Sequence, residues 1–255
     1  DFATLALSGE GSRAAHDLSL ALVGDVATLG LNLNGGLQPR DGSWQGELRD
    51  LHLEPKERNA WRLREPARLA YAPDSGSVSL SRTCLDAAPA WLCAEVTAQG
   101  AASQGSVELE GFDLAQLDPL LATLLDQPAA LSGSLAANGQ FQRDAQGRLQ
   151  AGLQARVPQV TLKLDPDAER ELLALDDLGL NLTLDPDNAN LQLDARVSQQ
   201  GHLRAGVELA TPLQDDGALS GQIELLLPDI ALLELFADQV VDPEGRIDGR
   251  LQLAG

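Results

Sequence analysis

The residues that could carry chemistry are few and widely spaced. Cys84 and Cys93 lie nine positions apart, and His16, His52 and His202 each stand alone. Two cysteines without a nearby histidine are too few for a structural zinc site. The sequence has no Gly-x-Ser-x-Gly elbow, no phosphate-binding glycine loop and no His-Glu-x-x-His motif. We therefore predict no catalytic residue, no metal ligand and no cofactor, and interpret the chain as not an enzyme, with its histidines at solvated strand positions.

The segment from Asp185 to Asn190 superficially resembles a calcium loop. It lacks the glycine at the sixth position and the closing glutamate that such loops use. Aspartate, asparagine and proline are also the residues that a turn requires. We interpret this segment as a turn.

The two cysteines flank a turn over residues 86–89, between two short apolar runs. A hairpin there would place the two sulfurs opposite each other, which favours a disulfide; two free, buried thiols are the alternative. A disulfide would indicate an oxidising compartment such as the periplasm.

Alternation of apolar and polar residues is the strongest pattern in the chain. A period of two predicts strands with one apolar and one polar face, and short turns between them predict an all-β, antiparallel, meandering sheet. The positions that we expect on the apolar face are Leu29, Leu31, Leu33, Leu162, Leu164, Leu178, Leu180, Leu182, Leu184, Leu191, Leu193, Val197, Leu203, Val207, Leu209 and Leu225.

Three segments predict short helices instead. The first begins at Pro166, capped by Asp165, and would continue through Leu172, Leu173 and Leu175. The others are predicted over residues 119–125 and 230–241. Because the polar face offers no burial, we expect the leucines of the last two helices to pack against the apolar face.

An internal repeat aligns residues 107–139 with 223–255 without a gap. Each copy is predicted as strand, capped helix, turn and a strand ending in glycine, which is typical of stacked repeats. We therefore divide the chain into a first segment (1–106) with the cysteine hairpin, a repeat unit (107–222) and the start of another unit (223–255), and expect a fragment of a longer array.

Composition limits the classes of function. The net charge is −20, which excludes a nucleic-acid binder because phosphates require cations. The sequence contains no run of 18 apolar residues, so we predict no membrane-spanning helix. Leucine supplies 51 residues while aromatics make up 3%, and one flexible residue type specifies dense packing poorly. The apolar face is therefore either a closed core or a groove open to an acyl chain.

Two tryptophan-containing runs followed by the cysteine pair carry a family resemblance. The run from Trp44 to Leu53, the run from Trp61 to Leu69, and the pair Cys84–Leu85 and Leu92–Cys93 resemble the TamB family of translocation and assembly module proteins, which is AsmA-like. The units containing Gly133-Ser-Leu135 and Gly249-Arg-Leu251 resemble the same family.

The resemblance implies a periplasmic sheet, curled into a U-shaped apolar groove, from the middle of a longer protein. An N-terminal helix, absent here, would anchor that protein in the inner membrane. The implied function is to carry phospholipid acyl chains between the two membranes of a Gram-negative bacterium, with a role in outer-membrane biogenesis. A TamA-like outer-membrane barrel would contact parts of the protein that are not present here. The main alternative is a chaperone-like scaffold that binds outer-membrane proteins or autotransporters through sheet edges, and a further alternative is a purely structural spacer.

Overall fold

The fold is a single antiparallel sheet. We describe it from a computed structural model of the chain, which covers residues 2–56, 58–119, 121, 129–163, 171–197, 201–212, 217–230 and 245–254. In these ranges the strands are β1 (Phe2–Gly11), β2 (His16–Gly24), β3 (Ala27–Leu37), β4 (Trp44–Pro55), β5 (Trp61–Leu63), β6 (Ala67–Ala72), β7 (Ser77–Ala87), β8 (Ala90–Gln99), β9 (Ala102–Asp113), β10 (Ala130–Arg143), β11 (Leu149–Lys163), β12 (Leu173–Leu184), β13 (Asn188–Val197), β14 (Gly201–Ala210), β15 (Leu219–Leu227) and β16 (Ile247–Ala254).

Strand order in the sheet follows chain order almost throughout. The exception is that β5 and β6 both pair with β4 and with β7, so two short strands share the place of one. Short connections explain this order, because strands joined by a tight turn pair most readily with each other. Gly76 and Gly100 have φ values of +59° and +58° at such turns, a conformation that costs glycine little. The predicted all-β meander is confirmed.

The chain divides into two compact units. Unit 1 comprises residues 1–109 with 140–149, and unit 2 comprises residues 110–139 with 150–255. Each unit is described by itself below.

Among the described residues, the helix that is described from its first to its last residue is a 3₁₀ helix at Leu114–Leu117. The prediction of a helix from Pro166 through Leu175 is wrong at its C-terminal end, because β12 begins at Leu173. Leu173 and Leu175 pair with Leu162 and Val160 of β11, so their alternation prevails over leucine's helix propensity. Leu164, most of residues 119–125 and residues 231–241 lie outside the described residues, as does the predicted packing of those two helices.

The repeat is visible as two strand pairs. β9 is followed by β10 as its neighbour, and β15 is followed by β16 in the same way. In the first copy Asp113 caps the 3₁₀ helix by accepting a hydrogen bond from the amide of Ala115 at 3.0 Å. The division at 106 and 222 that we drew from this repeat stays a prediction.

Candidate functional site

The strands of unit 2 present one apolar face, which is built by register. In antiparallel pairs, directly opposed residues lie on the same side of the sheet. Opposed residues therefore form apolar rows that run across β11 to β16. One row comprises Leu153, Leu182, Leu191, Val207, Gly221 and Leu253; the next comprises Ala155, Leu180, Leu193, Ala205, Ile223 and Leu251.

The opposite face of the same strands is polar. One of its rows comprises Gln154, Asn181, Gln192, Gly206, Gln222 and Gln252. Its neighbour row alternates in charge, with Arg204 at 3.6 Å from Asp194 and Arg250 at 2.5 Å from Glu224. These exposed pairs each contribute little stability. The charged side chains on strands β11 to β16 of unit 2 are thus confined to one side of the sheet.

At one end of the apolar face lies a closed core. Its buried residues are Leu114, Val157, Val160, Leu175, Ala195, Val197 and Leu227. Leu114 belongs to the 3₁₀ helix and covers Gly133, where an added Cβ would lie 3.1 Å from its Cδ1 atom. Asp118 holds the segment against β10 by accepting a 2.8 Å hydrogen bond from the amide of Leu131.

On β12, β13 and β14 the apolar face beyond the closed core is half-buried, and we call this part the open band. It comprises Leu180, Leu182, Leu184, Leu191, Leu193, Val207 and Leu209, none of which belongs to the closed core. The three apolar rows that contain these residues are about 14 Å wide in total and extend about 24 Å across β11 to β16, beyond the three strands of the band itself. No charged residue lies in the described rows of the band.

The predicted apolar positions of unit 2 thus fall into two groups. Val197 is a member of the closed core, and Leu178, Leu203 and Leu225 pack against that core. The seven residues of the open band are the remaining predicted positions on β12, β13 and β14. Leu162 is half-buried opposite Leu173.

A β-bulge in β12 separates the two regions. The register between β12 and β13 shifts between Asp176 and Gly179. Asp177 adopts a φ of +52° there, and its carboxylate pairs with Arg196. On β11, Pro158 occupies the position facing this irregularity, between Val157 and Gln159, and lacks an amide for the ladder. The sequence signals for this bulge were Pro158 on β11 and the two adjacent aspartates, Asp176 and Asp177, on β12.

Unit 1 carries a similar apolar face on its first strands. Leu29, Leu31 and Leu33 are half-buried on β3, where they oppose Leu22, Leu20 and Leu18 of β2 and Leu53, Leu51 and Leu48 of β4. On β1, Leu5 and Leu7 continue this face and are 67% and 75% exposed. The predicted positions on β3 therefore share one side of the sheet.

Cys84 and Cys93 form a disulfide, as predicted. The two cysteines are directly opposed in the hairpin of β7 and β8, and both are buried beside Ala87 and Ala90.

Next to the disulfide, Arg64 donates three hydrogen bonds to the carboxylate of Asp86, the shortest 2.6 Å long. Its guanidinium lies 5.7 Å from the ring centre of Trp91. The hydrogen bond from Arg64 lowers the pKa of Asp86.

The histidines are more constrained than the sequence suggested. His16 accepts a 2.9 Å hydrogen bond at Nε2 from the indole N–H of Trp44. Since Nε2 is the acceptor, Nδ1 carries the proton and donates to the carbonyl of Ser12 at 3.1 Å. The indole itself covers Gly35 and Gly46, where added Cβ atoms would lie 2.4 and 2.5 Å from the ring. The description of His16 as a solvated residue was therefore incomplete, and the two glycines were the missed signal.

His52 covers a glycine on the polar face in the same manner. An added Cβ at Gly30 would lie 2.2 Å from its ring, and its Nδ1 lies 2.9 Å from the carboxylate of Asp50. His202 is half-buried on β14 and is opposed to Arg196. Within the described ranges, no three acidic, histidine or cysteine side chains converge in a metal-binding geometry.

The segment at Asp185 is a turn. Its carboxylate accepts 2.9 Å hydrogen bonds from the amides of Asp187 and Asn188, and its amide donates to the carbonyl of Asn188 at 2.8 Å. The side chain is thus used to close the β12–β13 hairpin.

Comparison with known proteins gives one family. The family model described as "TamB, N-terminal domain" matches residues 1–255, whereas the sequence resemblance suggested a middle segment of the same family. No solved structure matches the chain. None of the described helices is long and apolar enough to span a membrane.

Proposed function

Since the chain belongs to the TamB family, whose members act in the translocation and assembly module, we propose that it carries phospholipid acyl chains along the open band. The cargo would move through the periplasm between the inner and outer membranes. The proposal assigns no catalytic step to the chain.

The single observation that supports this function is the half-buried state of the open band. The closed core demonstrates that this sheet can bury apolar side chains fully, yet the seven aliphatic residues of the band stay partly exposed. The three apolar rows that contain the band cover about 300 Å² across β11 to β16, which is as large as the functional patches of typical soluble proteins. Such a surface gains free energy when a hydrocarbon covers it.

The chemistry of the band suits a cargo that slides. Burial of hydrocarbon against leucine is non-directional and proportional to area, so one acyl position is nearly equivalent to the next. No described charge or buried polar group in the band would hold a chain at one point. Cargo would therefore move across the strands from β12 to β14 without a large barrier.

Leu182→Arg tests this role, with Asn181→Arg as its matched control. The two residues are neighbours on β12, but Leu182 belongs to the open band and Asn181 to the polar face. A guanidinium at position 182 can reach solvent, so we expect the protein to stay folded while it loses bound lipid. Asn181→Arg should retain lipid. Lipid co-purified with each variant is measured by mass spectrometry, and folding by thermal melting.

Two outcomes would contradict the proposal. If folded Leu182→Arg retains as much lipid as the control, the open band is not the path. If Leu182→Arg fails to fold while Asn181→Arg folds, the band is part of a closed core.

Association with a TamA-like barrel would involve parts of the full-length protein beyond this chain. The position in the periplasm and an anchor in the inner membrane are part of the same proposal. Both are tested by fractionation and co-purification of the full-length protein, in which loss of the barrel should leave lipid in the open band.

A second candidate function is supported by β1. Among the described strands, β1 pairs with β2 only, and its Leu5 and Leu7 are highly exposed. Such an edge can accept an extended peptide of a client protein by strand addition. Proline at position 6 would remove one amide from β1, and the test is whether Ala6→Pro abolishes crosslinking to an unfolded outer-membrane protein while lipid content is unchanged.

A further inference from the structure

A trough of about 860 Å³ lies in unit 1, along the ends of several strands. Part of its floor is one row of opposed residues, formed by Trp44, Tyr71, Val78 and Ala98. Tyr71 and Val78 are 47% and 38% exposed. The remaining wall is mostly uncharged, with serine, threonine and glutamine side chains. The trough therefore joins an apolar strip to a polar wall.

Arg143 is the cation that lines this trough. Its side chain is exposed, and it forms no hydrogen bond or ion pair with any residue that the structure describes. The guanidinium lies beside the turn at Gly147, 3.4 Å from the place of an added Cβ. On β10 it follows Phe141 by two positions, so the two side chains emerge on the same side of that strand.

The two carboxylates in the trough are already engaged. Asp41 accepts hydrogen bonds from the amide and the hydroxyl of Ser43, at 3.0 and 2.8 Å. Asp144 pairs with Arg148 at 2.6 Å. Neither carboxylate neutralises Arg143, which leaves one unpaired positive charge beside an apolar strip.

We propose that the trough binds the headgroup end of a phospholipid, with the phosphodiester on Arg143 and the first part of the acyl chains on Tyr71 and Val78. This inference rests on the proposed function, because it assigns a headgroup site within unit 1 to the class of lipid that the chain is proposed to carry. The planar guanidinium matches two phosphate oxygens at once. The tyrosine ring suits the boundary between an apolar and a wet region.

The same surface disfavours free phosphate. The chain carries a net charge of −20, so a small anion gains only one contact against general repulsion. An amphiphile adds burial of its hydrocarbon on the apolar strip, which the anion cannot do. The charge and the apolar row together therefore select a phospholipid.

The test uses Arg143→Gln and the control Arg68→Gln. Arg68 lies on β6 opposite Glu47, outside the trough, and its substitution changes the net charge equally. The probes are dioctanoyl phosphatidylglycerol and dioctanoylglycerol, which share their acyl chains. We expect Arg143→Gln to weaken phosphatidylglycerol binding about tenfold and to leave dioctanoylglycerol binding unchanged, while Arg68→Gln alters neither.

The outcomes separate this inference from the proposed function. If the unmodified chain binds both probes but Arg143→Gln binds phosphatidylglycerol as tightly, the headgroup site is wrong and the acyl-chain function stands. If the unmodified chain binds neither probe, both are wrong. Inorganic phosphate at about 10 mM, which would largely fill a site with a Kd of about 1 mM, should not displace phosphatidylglycerol. Displacement would indicate an anion site unrelated to lipid.

Discussion

The closed core and the open band lie on the same face of the sheet. They differ in composition and in whether another segment of the chain covers them. Three of the seven closed-core residues are valine and three are leucine, and the core is covered by Leu114 of the 3₁₀ helix. Six of the seven residues in the open band are leucine. β-Branched side chains are stiff and pack in one arrangement, whereas leucine keeps more rotamer freedom. The difference fits the proposed function, in which one end of the face is packed and the other receives a fluid partner.

The largest effect should come from a charge placed in the closed core. Val157 is 4% exposed, so Val157→Arg would bury a guanidinium without a partner and should lower the free energy of unfolding by several kcal/mol. Leu182→Arg should cost about 1 kcal/mol because its head reaches solvent. Urea denaturation followed by circular dichroism compares the two variants. Equal losses in the free energy of unfolding would mean that both regions are covered to the same extent.

Removal of the disulfide should be the next largest effect. Cys84 and Cys93 close a ten-residue loop, and opening it should cost about 2–3 kcal/mol in the chain-entropy model. The double variant Cys84→Ser/Cys93→Ser should therefore unfold at lower urea than the unmodified chain, while the difference between Val157→Arg and Leu182→Arg persists. A double variant of unchanged stability would contradict a structural role for this bond.

Leucine truncation gives a gentler form of the comparison. Leu114→Ala leaves a cavity over Gly133 and Val157 and should cost about 2 kcal/mol. Leu182→Ala should cost less than half as much, because solvent or cargo fills the space. The shift in urea midpoint checks both. A larger loss at Leu182 would reverse the assignment of the two regions.

The bulge between the regions should show a smaller effect. Asp177 has a φ of +52°, which costs a residue with a Cβ about 1 kcal/mol or more. Asp177→Gly removes that strain together with the pair to Arg196, so it should be neutral within about 0.5 kcal/mol. Asp177→Ala keeps the strain and loses the pair, and should be destabilised by about 1 kcal/mol. Equal thermal melting of the two variants would contradict the role assigned to the backbone.

The smallest effect is expected on acidification. In the described ranges, the carboxylates whose pKa is lowered are Asp41, Asp86 and Asp144, all in unit 1. A lowered folded-state pKa gives stability that is present above the unfolded pKa, near 4, and is lost as pH falls below it. As pH is lowered from about 5 to about 3, unit 1 should therefore lose stability before unit 2, and thermal melting measures this loss. The difference between Leu114→Ala and Leu182→Ala should not change over this range.

The period of two in the sequence predicts most of this structure. Leu178, Leu180, Leu182 and Leu184 share a face because side chains alternate along a strand, whatever the propensity of leucine. The division of that face into two regions was not predictable in the same way. It depends on Leu114, which comes from a segment distant in sequence, and local patterns contain no information on which strand such a segment covers. The length of β12 was missed because a capping motif at Asp165 and Pro166 competed with the alternation of Leu173 and Leu175.

The site residues also differ in how far the sequence alone predicts their contacts. Cys84 and Cys93 were identifiable because a hairpin turn fixes the opposition of its flanking residues. The contact of Trp44 on β4 with His16 on β2 crosses β3 and depends on Gly35 and Gly46, which leave room for an indole. A glycine pair opposite an aromatic residue is a usable signal once the register is known, but register is what the sequence leaves open.

The neighbour-to-neighbour order of the strands also bears on how the chain reaches its folded state. Nearly every pairing joins strands that adjoin in sequence, so most hairpins close a short loop and need little chain entropy to do so; the connections from β9 to β10 and from β15 to β16 are longer. The contact order is therefore low for an all-β protein of this length, and assembly should proceed faster than in sandwiches whose strands pair over long distances. The insertion of β5 and β6 between β4 and β7 interrupts this sequence of local steps. Amide protection in refolding experiments should consequently appear later there than in the simple meander of β12 to β15.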